Sequence, residues 1–509
     1  MRFYKHILRS QGAVTPMGKL RWLPGIAALG LLLADGCAVG PNFKKPAPPG
    51  VSSYTTRPLL RTESSTNVVG GEAQTFAEGM NIPGDWWTLF HSKPLNDLIE
   101  ESLTNNPDLK AAKAALSVAR ENILAQRGTY FPSVAGNFSA TRQKQSELIS
   151  PTPNANIFQY NLFTPEVTVS YMPDVFGLNR RTMESVKAQE QAVRYEMIAT
   201  YTTLTANVVV TAIQAGAVRA QIEATEQLID SNSNMVSILR YQFDKGYASQ
   251  VDLAAQESQL AQIEATLPPL LKQSAQLNDL LAVLAGRFPS QMKGEQFELS
   301  SLHLPETLPV SLPSALVAQR PDVLQAEANL HSASAQIGIA IANRLPNIEL
   351  TANAGSTALS IDKIFTSGTG FWGIGAAATA PIFQGGTLLH QERAMKAAYV
   401  EAAEQYRSTV LTAFQNVADT LAALQQDAAA LKTAAIAADA AKLTLDLSQQ
   451  QWQSGYTGYL TLLTAEQSYQ QAQINLVQAQ ASRYADTAAL FQALGGGWWQ
   501  REDFTKDKQ

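Results

Sequence analysis

The sequence predicts an α+β membrane protein with an internal two-fold repeat, and three observations support this prediction. Proline-bounded motifs occur twice, 214 residues apart. Four segments of about ten residues alternate apolar side chains with small or polar ones, which is typical of β-strands. Two stretches of more than 60 residues contain no proline, which favours very long helices.

Residues 1–36 are predicted to form a lipoprotein signal peptide. Five basic residues precede an apolar run from Trp22 to Ala34, and this order is typical of a bacterial export signal. The run has 13 residues, fewer than the roughly 20 that a membrane-spanning helix needs, so a permanent helical anchor is not expected. A start at Met17 instead of Met1 gives a more compact signal, and the sequence leaves both starts open.

Cys37 is the only cysteine of the chain, and it stands where the apolar run gives way to a proline-rich stretch. The segment from Ala34 to Cys37 is similar to the lipobox of bacterial lipoproteins, although Ala34 stands where leucine is usual. Cys37 is therefore predicted to be acylated and to become the mature N-terminus, since several acyl chains hold a protein firmly on a membrane. The alternative is an unmodified cysteine in a signal peptide that is cleaved elsewhere. Ala38 follows in place of the aspartate that commonly marks inner-membrane retention, which favours the outer membrane.

The charge and composition of the chain exclude some partners. The whole chain carries a formal charge of −5, and removing residues 1–36 takes away five basic residues and one acidic residue, which leaves −9. This acidic balance argues against a nucleic-acid partner. Only 16% of the residues are charged, which suits long helices packed against other helices.

The two halves of the chain are predicted to be homologous. Pro107 and Pro132 bound one helical segment, and Pro321 and Pro346 bound another, because proline suits the first turn of a helix and stops one later. Two later matches extend the repeat, PDVFG at 173–177 with PIFQG at 381–385 and KGY at 245–247 with SGY at 454–456. The expected organisation is a signal peptide (1–36), a lipidated N-terminal segment (37–90), a first repeat (91–310), a second repeat (311–494) and a C-terminal tail (495–509).

Each half is predicted to contain one pair of strands, at about 133–144 and 162–171 in the first half and about 347–357 and 371–380 in the second. Ten residues is the usual length of a tilted transmembrane β-strand, whose outer face meets lipid and whose inner face meets water. The alternative is two solvent-exposed hairpins of a soluble domain. Four strands cannot close a barrel in lipid, so several chains are expected to share one barrel, and three copies would supply twelve strands.

Two long helices are predicted between the strand pairs, roughly from Leu178 to Phe243 and from Thr387 to Gln453. At a rise of about 1.5 Å per residue, each would extend on the order of 100 Å. The chain is expected to turn back at Gly246 and at Gly455 into a shorter return helix. A seam with 3-4 spacing, typical of coiled coils, marks the buried face of the second long helix: Ala403, Tyr406, Val410, Ala413, Val417, Leu421, Leu424, Ala428, Leu431 and Ala435.

Several longer motifs carry a resemblance to a known family. They are CAVGPNFKKP from Cys37, DWWTLF from Asp85, RPDVLQAEANLHSASAQIGIAIANRLPNIELTANAG from Arg320, PIFQGG from Pro381 and GYLTLLTAEQSYQQAQ from Gly458. With these motifs the sequence resembles the outer membrane factor family, the TolC-like exit ducts of Gram-negative bacteria, and within it the lipoprotein branch that serves efflux pumps.

The resemblance implies a homotrimer in the outer membrane, with a shared twelve-stranded β-barrel that continues into a twelve-helix periplasmic barrel. It also implies a function as the passive exit duct of a tripartite efflux system. The expected partners are a periplasmic adaptor protein, an inner-membrane RND-type pump and outer membrane lipid, and no cofactor is expected. The N-terminal segment and the C-terminal tail would lie along the periplasmic belt.

The resemblance also implies a gate at the periplasmic tip, where the family carries inward carboxylates and an apolar ring. Asp252 falls where TolC-like ducts carry one such aspartate, and Leu460 matches the apolar ring. Thr464 replaces a second carboxylate, and Glu466 points about 200° away from it on a helix. The alternative for Asp252 is an acid that begins a helix at a solvated turn. The helix turns that would contact the adaptor contain Gly246, Tyr247, Gly455 and Tyr456.

Three other functions fit the sequence less well. An enzyme is not expected, because the five histidines are scattered and the one GxGxxG match, at 368–373, leads into a predicted strand instead of a helix. A lipid-tethered coiled-coil scaffold without a pore does not account for the paired strands. The outer membrane duct of a type I secretion system is the nearest alternative. The sequence does not identify the exported substrate, because such ducts take their specificity from the pump.

Overall fold

The computed structural model describes residues 38–56, 59–144, 159–291 and 297–505. Cys37 and the predicted signal peptide lie outside these ranges. The described chain divides into two compact units, each made of three segments. The first unit contains residues 38–41, 127–182 and 336–392, and the second contains 42–126, 183–335 and the chain from 393 onward, apart from the gaps given above.

The first unit is built around an antiparallel sheet with the strand order β2-β3-β5-β6. Its strands are β2 (Ser133–Lys144), β3 (Gln159–Tyr171), β5 (Asn347–Ser356) and β6 (Gly370–Thr379). The predicted strand pairs are thus confirmed to within about three residues at each end, because period-2 alternation over ten residues is a strong strand signal. Since β6 follows directly, the GxGxxG match opens a strand and not a helix.

Each strand pair is a hairpin with a continuous register. Ser133 pairs with Ser170 at the base of the first hairpin, and Asn347 pairs with Thr379 at the base of the second. The hairpins join through β3 and β5, where Glu166 lies opposite Gly355. The exposed side chains of this sheet include large apolar ones, namely Val134, Phe138, Val167, Leu350, Trp372 and Ile374.

The N-terminal segment is fixed to the foot of the first hairpin. The buried Arg181 donates from Nε to the carbonyl oxygen of Val39 at 2.9 Å and from Nη2 to that of Gly40 at 3.2 Å. Gly40 has φ +92°, and a Cβ atom there would lie 2.5 Å from the Cα atom of Gly338. Glycine is therefore required at this crossing, and the chain directly after the predicted lipidation site has a defined path.

The second unit contains most of the helical residues of the chain. In chain order, the helices of the protein are α1 (Lys93–Asn105), α2 (Pro107–Gly128), α3 (Leu178–Asp244), α4 (Gln250–Leu284), α5 (Pro313–Gln319), α6 (Pro321–Ala342), α7 (Thr387–Gln453), α8 (Tyr459–Ala493) and α9 (Glu502–Thr505). None of the helices in the described ranges is both long enough and apolar enough to cross a membrane.

The helices of the two halves match in length. The pairs α2 and α6, α3 and α7, and α4 and α8 have 22, 67 and 35 residues, respectively. From β3 and β6 onward, however, equivalent residues of the two halves are 209 positions apart. The match of PDVFG with PIFQG gives a spacing of 208. Gly177 and Gly386 each precede a long helix with φ near +85°, so these two glycines correspond, and the sequence match is wrong by one residue.

The predicted seam of α7 is confirmed. Ala403 is partly buried, and the other nine seam residues are buried at 7% exposure or less. Six of the nine, from Tyr406 to Leu424, belong to the main hydrophobic core. The 3-4 spacing keeps these side chains on one face of the helix over nine turns.

A small mixed region completes the second unit. It contains the parallel pair of β1 (Thr75–Glu78) and β4 (Thr307–Val310), in which Thr75 lies opposite Thr307. Trp86 is buried nearby and stacks on Phe491 with ring centroids 5.1 Å apart. The sequence did not predict this region as sheet, because four-residue strands separated by more than 200 positions leave no periodic signal.

Candidate functional site

The candidate site consists of the two turns at which the long helices end and the return helices begin. After α3, Gly246 has φ +78° and donates its N–H to the carbonyl oxygen of Phe243 at 2.9 Å. The N–H of Tyr247 donates to the carbonyl oxygen of Gln242 at 2.8 Å. These two bonds form a Schellman motif, in which the left-handed position favours glycine.

The second turn repeats this geometry 209 residues later. Gly455 has φ +75°, and its N–H donates to the carbonyl oxygen of Trp452 at 3.0 Å. The N–H of Tyr456 donates to the carbonyl oxygen of Gln451 at 2.9 Å. Both predicted reversals are therefore confirmed as turns, and each is specified by the same glycine-tyrosine pair.

The return helices begin differently at the two turns. Ser249 precedes α4, and its Oγ accepts a hydrogen bond from the N–H of Asp252 at 3.1 Å. The carboxylate of Asp252 accepts in turn from the backbone N–H of Ser249 at 3.4 Å, which completes a capping box. It also accepts from the hydroxyl of Ser249 at 2.7 Å. At the start of α8 the equivalent position is Gly458, and glycine has no side chain with which to cap a helix. The start of α4 is therefore capped by side chains, whereas the start of α8 has no side-chain cap.

Most of the side chains predicted for the gate and the tip point into solvent. Tyr247 is 85% exposed, Tyr456 is 87% exposed and Leu460 is 73% exposed. The exposed hydroxyl of Thr464 donates to the carbonyl oxygen of Leu460, one turn earlier in α8, at 2.9 Å. Val251, which is equivalent to Leu460 in the first turn, is also exposed, so each turn presents one large apolar side chain.

A small apolar cluster joins the helices at these turns. Met235 and Leu239 of α3 and Tyr459 and Leu462 of α8 are buried in it. Trp452, at the end of α7, packs edge-on against Tyr459 with ring centroids 6.1 Å apart. The two turns of one chain are therefore held together by this cluster.

Polar side chains connect the same helices further from the turns. Gln467 of α8 donates to the side-chain oxygen of Gln259 of α4 at 2.7 Å. The fully buried Gln256 donates to the side-chain oxygen of Asn232 of α3 at 2.8 Å. On the surface, Arg240 and Glu257 form an ion pair at 2.5 Å between α3 and α4.

Glu466 is a buried acid within this group of helices. It is 6% exposed, and its Oε2 atom has no hydrogen-bond partner among the described residues. Burial raises the pKa of the Glu466 carboxyl from its ordinary value of 4.5 to about 7. Burial also raises the pKa of the nearby Tyr459, and the carboxylates of Glu466 and Asp252 raise it further.

The structure thus brings the predicted tip residues together, and it adds two that sequence reasoning missed or set aside. Trp452 belongs to the apolar cluster. Glu466, which helical spacing places on a different face of α8 from Thr464, is a buried titratable group. The available signal for Glu466 was a charged residue four positions after Leu462, on the same face of the helix. Across residues 38–56, 59–144, 159–291 and 297–505, no three histidine, aspartate or glutamate side chains are placed to hold a metal ion.

Comparisons with known proteins agree on one class of protein. A profile of the family described as outer membrane efflux protein matches residues 98–287 and 312–496. The toluene efflux pump outer membrane protein TtgC of Pseudomonas putida is 29% identical over 479 residues, which cover 93% of this chain and 95% of the relative.

Two solved structures share the fold. The CmeC outer membrane channel of Campylobacter jejuni superposes with a TM-score of 0.83 at 22% identity, covering 92% of this chain and 97% of that chain. The outer membrane protein VceC of Vibrio cholerae superposes with a TM-score of 0.76 at 26% identity, covering 82% of this chain and 100% of that chain. The predicted α+β fold is therefore confirmed as that of these channels.

Proposed function

Because the chain belongs to the outer membrane efflux protein family, we propose that it is the outer membrane exit duct of a tripartite efflux system. It receives substrates from an inner-membrane RND-type pump through a periplasmic adaptor and releases them outside the cell. The observation that carries this proposal is the family match to both halves of the chain. The antiparallel four-stranded sheet supports a pore over a scaffold that is only tethered to lipid.

The proposed working unit is a homotrimer, because four strands per chain are too few to close a barrel and three chains supply twelve. The organisation proposed is a signal peptide up to residue 36, an N-terminal segment to 90, two repeats divided near 310, and a tail after 494. Acylation of Cys37 anchors the mature chain in the outer membrane. The fixed path of residues 38–40 supports this proposal, since Arg181 at the start of α3 holds the chain that directly follows Cys37.

The proposed gate lies at the two helix turns. Leu460 supplies the apolar constriction, and Asp252 and Thr464 supply polar groups. The turns at Gly246, Tyr247, Gly455 and Tyr456 contact the adaptor, and the high exposure of both tyrosines supports that role. Transport is passive and needs neither a catalytic group nor a cofactor. The relatives' names mention toluene and pyoverdine, a range that suits a duct whose substrate is chosen by the pump.

The test is a planar-bilayer recording of the purified full-length protein. Discrete ion-conducting steps are expected. The control is a variant with β6 disrupted by Ile374→Pro, because proline removes a ladder hydrogen bond and breaks the sheet. A wild-type protein that is folded by circular dichroism, inserts into the bilayer and conducts no ions would contradict the proposal.

A further inference from the structure

Two of the five histidines of the chain, His91 and His303, lie side by side near strand β4, although they are far apart in the sequence. Their ring centroids are 6.0 Å apart, and the ring planes are nearly perpendicular, at 83°. Both residues are exposed. Neither belongs to the helix turns or to the strands of the proposed barrel, so the proposed function leaves this pair unexplained.

The backbone at each histidine is fixed. The N–H of His303 donates to the carbonyl oxygen of Phe90 at 3.1 Å, which joins the two segments directly beside His91. His91 has φ +52° and ψ +29°, and its N–H donates to the carbonyl oxygen of Thr88 at 3.0 Å. Residues other than glycine seldom adopt this left-handed conformation, so its occurrence at His91 shows that the surroundings hold the position. The two rings therefore leave a defined backbone at adjacent points.

The flanking residues turn both rings toward the same surface. The four residues next to the histidines in the chain are buried at 5% exposure or less: Phe90, Ser92, Leu302 and Leu304. Since these neighbours face the core, His91 and His303 face outward, and they line one open cleft together with Glu72 and Glu306. Among the described residues that line this cleft, none is a lysine or an arginine. The charge of the cleft therefore favours a cation.

We propose that His91 and His303 bind one divalent transition-metal ion, such as Zn²⁺, Ni²⁺ or Cu²⁺, with water in the remaining coordination positions. Imidazole nitrogen suits these ions, whereas Mg²⁺ and Ca²⁺ prefer oxygen ligands. The described ranges offer no third histidine, aspartate or glutamate placed to complete the site. Binding is therefore weaker than at zinc centres with three or four protein ligands.

The spacing of the rings fits a single shared ion. A nitrogen–metal bond of about 2.0–2.1 Å places each ring centroid roughly 3.2 Å from the ion, so two imidazoles on one ion have centroids about 4.5–6.4 Å apart. The observed 6.0 Å lies within this range. Because both side chains are exposed, each ring can turn a nitrogen toward the ion without displacing packed neighbours. The alternative is an edge-to-face contact of two surface rings without a ligand.

An ion at this site joins two segments of the second unit. It connects the end of the 3₁₀ helix Trp86–Phe90 to the stretch that leads into β4. The folded chain presents the two histidines together and the unfolded chain does not, so the ion stabilises the folded state. The site involves neither the helix turns nor the four-stranded sheet, so this inference does not depend on the proposed function.

The test is calorimetric titration of the purified full-length protein, without a polyhistidine tag, with Zn²⁺. One Zn²⁺ per chain is expected to bind, and Mg²⁺ is expected to give no signal. His91→Asn and His303→Gln should each weaken Zn²⁺ binding at least about tenfold, because even the loss of a group that only orients a ligand costs 10–100-fold. Asparagine tolerates the left-handed backbone at position 91, so this variant keeps the local fold.

Two other histidines provide matched controls. His390→Asn changes an exposed histidine of α7, and His331→Gln changes one whose Nε2 atom lies 3.0 Å from a carboxylate oxygen of Glu184. Both variants should bind Zn²⁺ as the wild type does. Absence of Zn²⁺ binding by the wild type would overturn the proposal. Binding that survives in His91→Asn and His303→Gln, or that is lost in either control, would overturn it as well.

A second measurement needs no variant. Electron paramagnetic resonance of the wild-type protein with one equivalent of Cu²⁺ is expected to show splitting from two nitrogen ligands, because Cu²⁺ binds imidazole more tightly than the other divalent ions of its row. A spectrum without nitrogen splitting would overturn the proposal. The bilayer recording is independent of both measurements, so a duct that binds no metal would still conduct.

Discussion

At the residue scale, Glu466 links the stability of the helix turns to pH. The folded state holds a proton on Glu466 up to about pH 7, whereas the unfolded chain releases it near pH 4.5. Between these values the folded state binds more protons than the unfolded chain, so stability falls as the pH rises through this window. Below pH 4.5 the contribution is fully present, and above pH 7 the buried carboxylate carries its full desolvation cost.

We predict that Glu466→Gln removes this dependence. The amide has a similar shape and stays neutral. The free energy of unfolding of the variant is therefore expected to exceed that of the wild type at pH 8 by on the order of 2 kcal/mol, with allowance for partial solvent access. At pH 4.5 the two free energies of unfolding are expected to be equal. Thermal unfolding of the detergent-solubilised protein between pH 4.5 and 8 measures this. Glu264→Gln, at an exposed site on α4, is the control and should leave the profile unchanged. Parallel profiles for wild type and Glu466→Gln would refute the prediction.

A second residue-scale prediction concerns charge at the proposed gate. Thr464→Asp should strengthen block by divalent cations in single-channel recordings, because it adds a ring of carboxylates to a constriction. Asp252→Asn should weaken the block while keeping an acceptor for the capping box, whereas Asp252→Ala removes both the charge and that acceptor. The bond from the backbone N–H of residue 252 to Ser249 stays in both variants. Comparison of the Asn and Ala variants separates the two roles of Asp252. If none of the three variants changes the block, the gate lies elsewhere.

At the scale of elements, the two turns differ in how firmly their return helices begin. Ser249→Ala should destabilise the start of α4 by about 1 kcal/mol, because it removes the capping box. Gly458→Ser should stabilise the start of α8 by a few tenths of a kcal/mol, since Gly458 has φ −76° and a Cβ atom there meets open space. Hydrogen exchange of residues 250–255 and 459–464 measures both effects. Faster exchange in α8 of the Gly458→Ser variant would contradict this account.

The elements predicted best are those with long periodic patterns. The bounds of α3 and α7 were predicted to within one residue, because a glycine in a left-handed turn ends each helix after an uninterrupted run. The strands were predicted nearly as well, since alternation extends over their full length. The exception is the one-residue error between β6 and α7. Either of the adjacent glycines 385 and 386 can be aligned with Gly177 in the sequence, and only the backbone geometry distinguishes them.

The candidate site was predicted in position more than in detail. Gly246 and Gly455 mark both turns in the sequence, so the turns themselves were predictable. The burial of Glu466 and the packing of Trp452 on Tyr459 depend on helices that are distant in the sequence, and one helix alone does not reveal them. The capping box was predictable from the sequence, because Ser249 stands three residues before Asp252. The structure shows this contact, which does not depend on any role of Asp252 in the gate.

At the scale of the whole molecule, the proposed lipid anchor and the proposed barrel both attach the protein to the outer membrane. We predict that Cys37→Ser abolishes acylation but leaves the oligomer, because the strands of the proposed barrel would hold the chains in the bilayer without the acyl anchor. Mass spectrometry of the mature N-terminus and native mass spectrometry in mild detergent measure the two properties. An unmodified thiol at Cys37 in the wild-type protein would refute the anchor, and a stable wild-type monomer would refute the shared barrel.

The exposed edges of β2 and β6 make a single chain prone to aggregation as well as able to assemble. In the proposed barrel these two strands contact other copies, and a chain that has not assembled presents them to any extended polypeptide, including an unfolded copy of itself. Head-to-tail edges of this kind also polymerise without limit when the ring does not close. For the proposed oligomer, assembly therefore competes with aggregation, so slow synthesis is expected to favour finished rings and overproduction to favour insoluble aggregates.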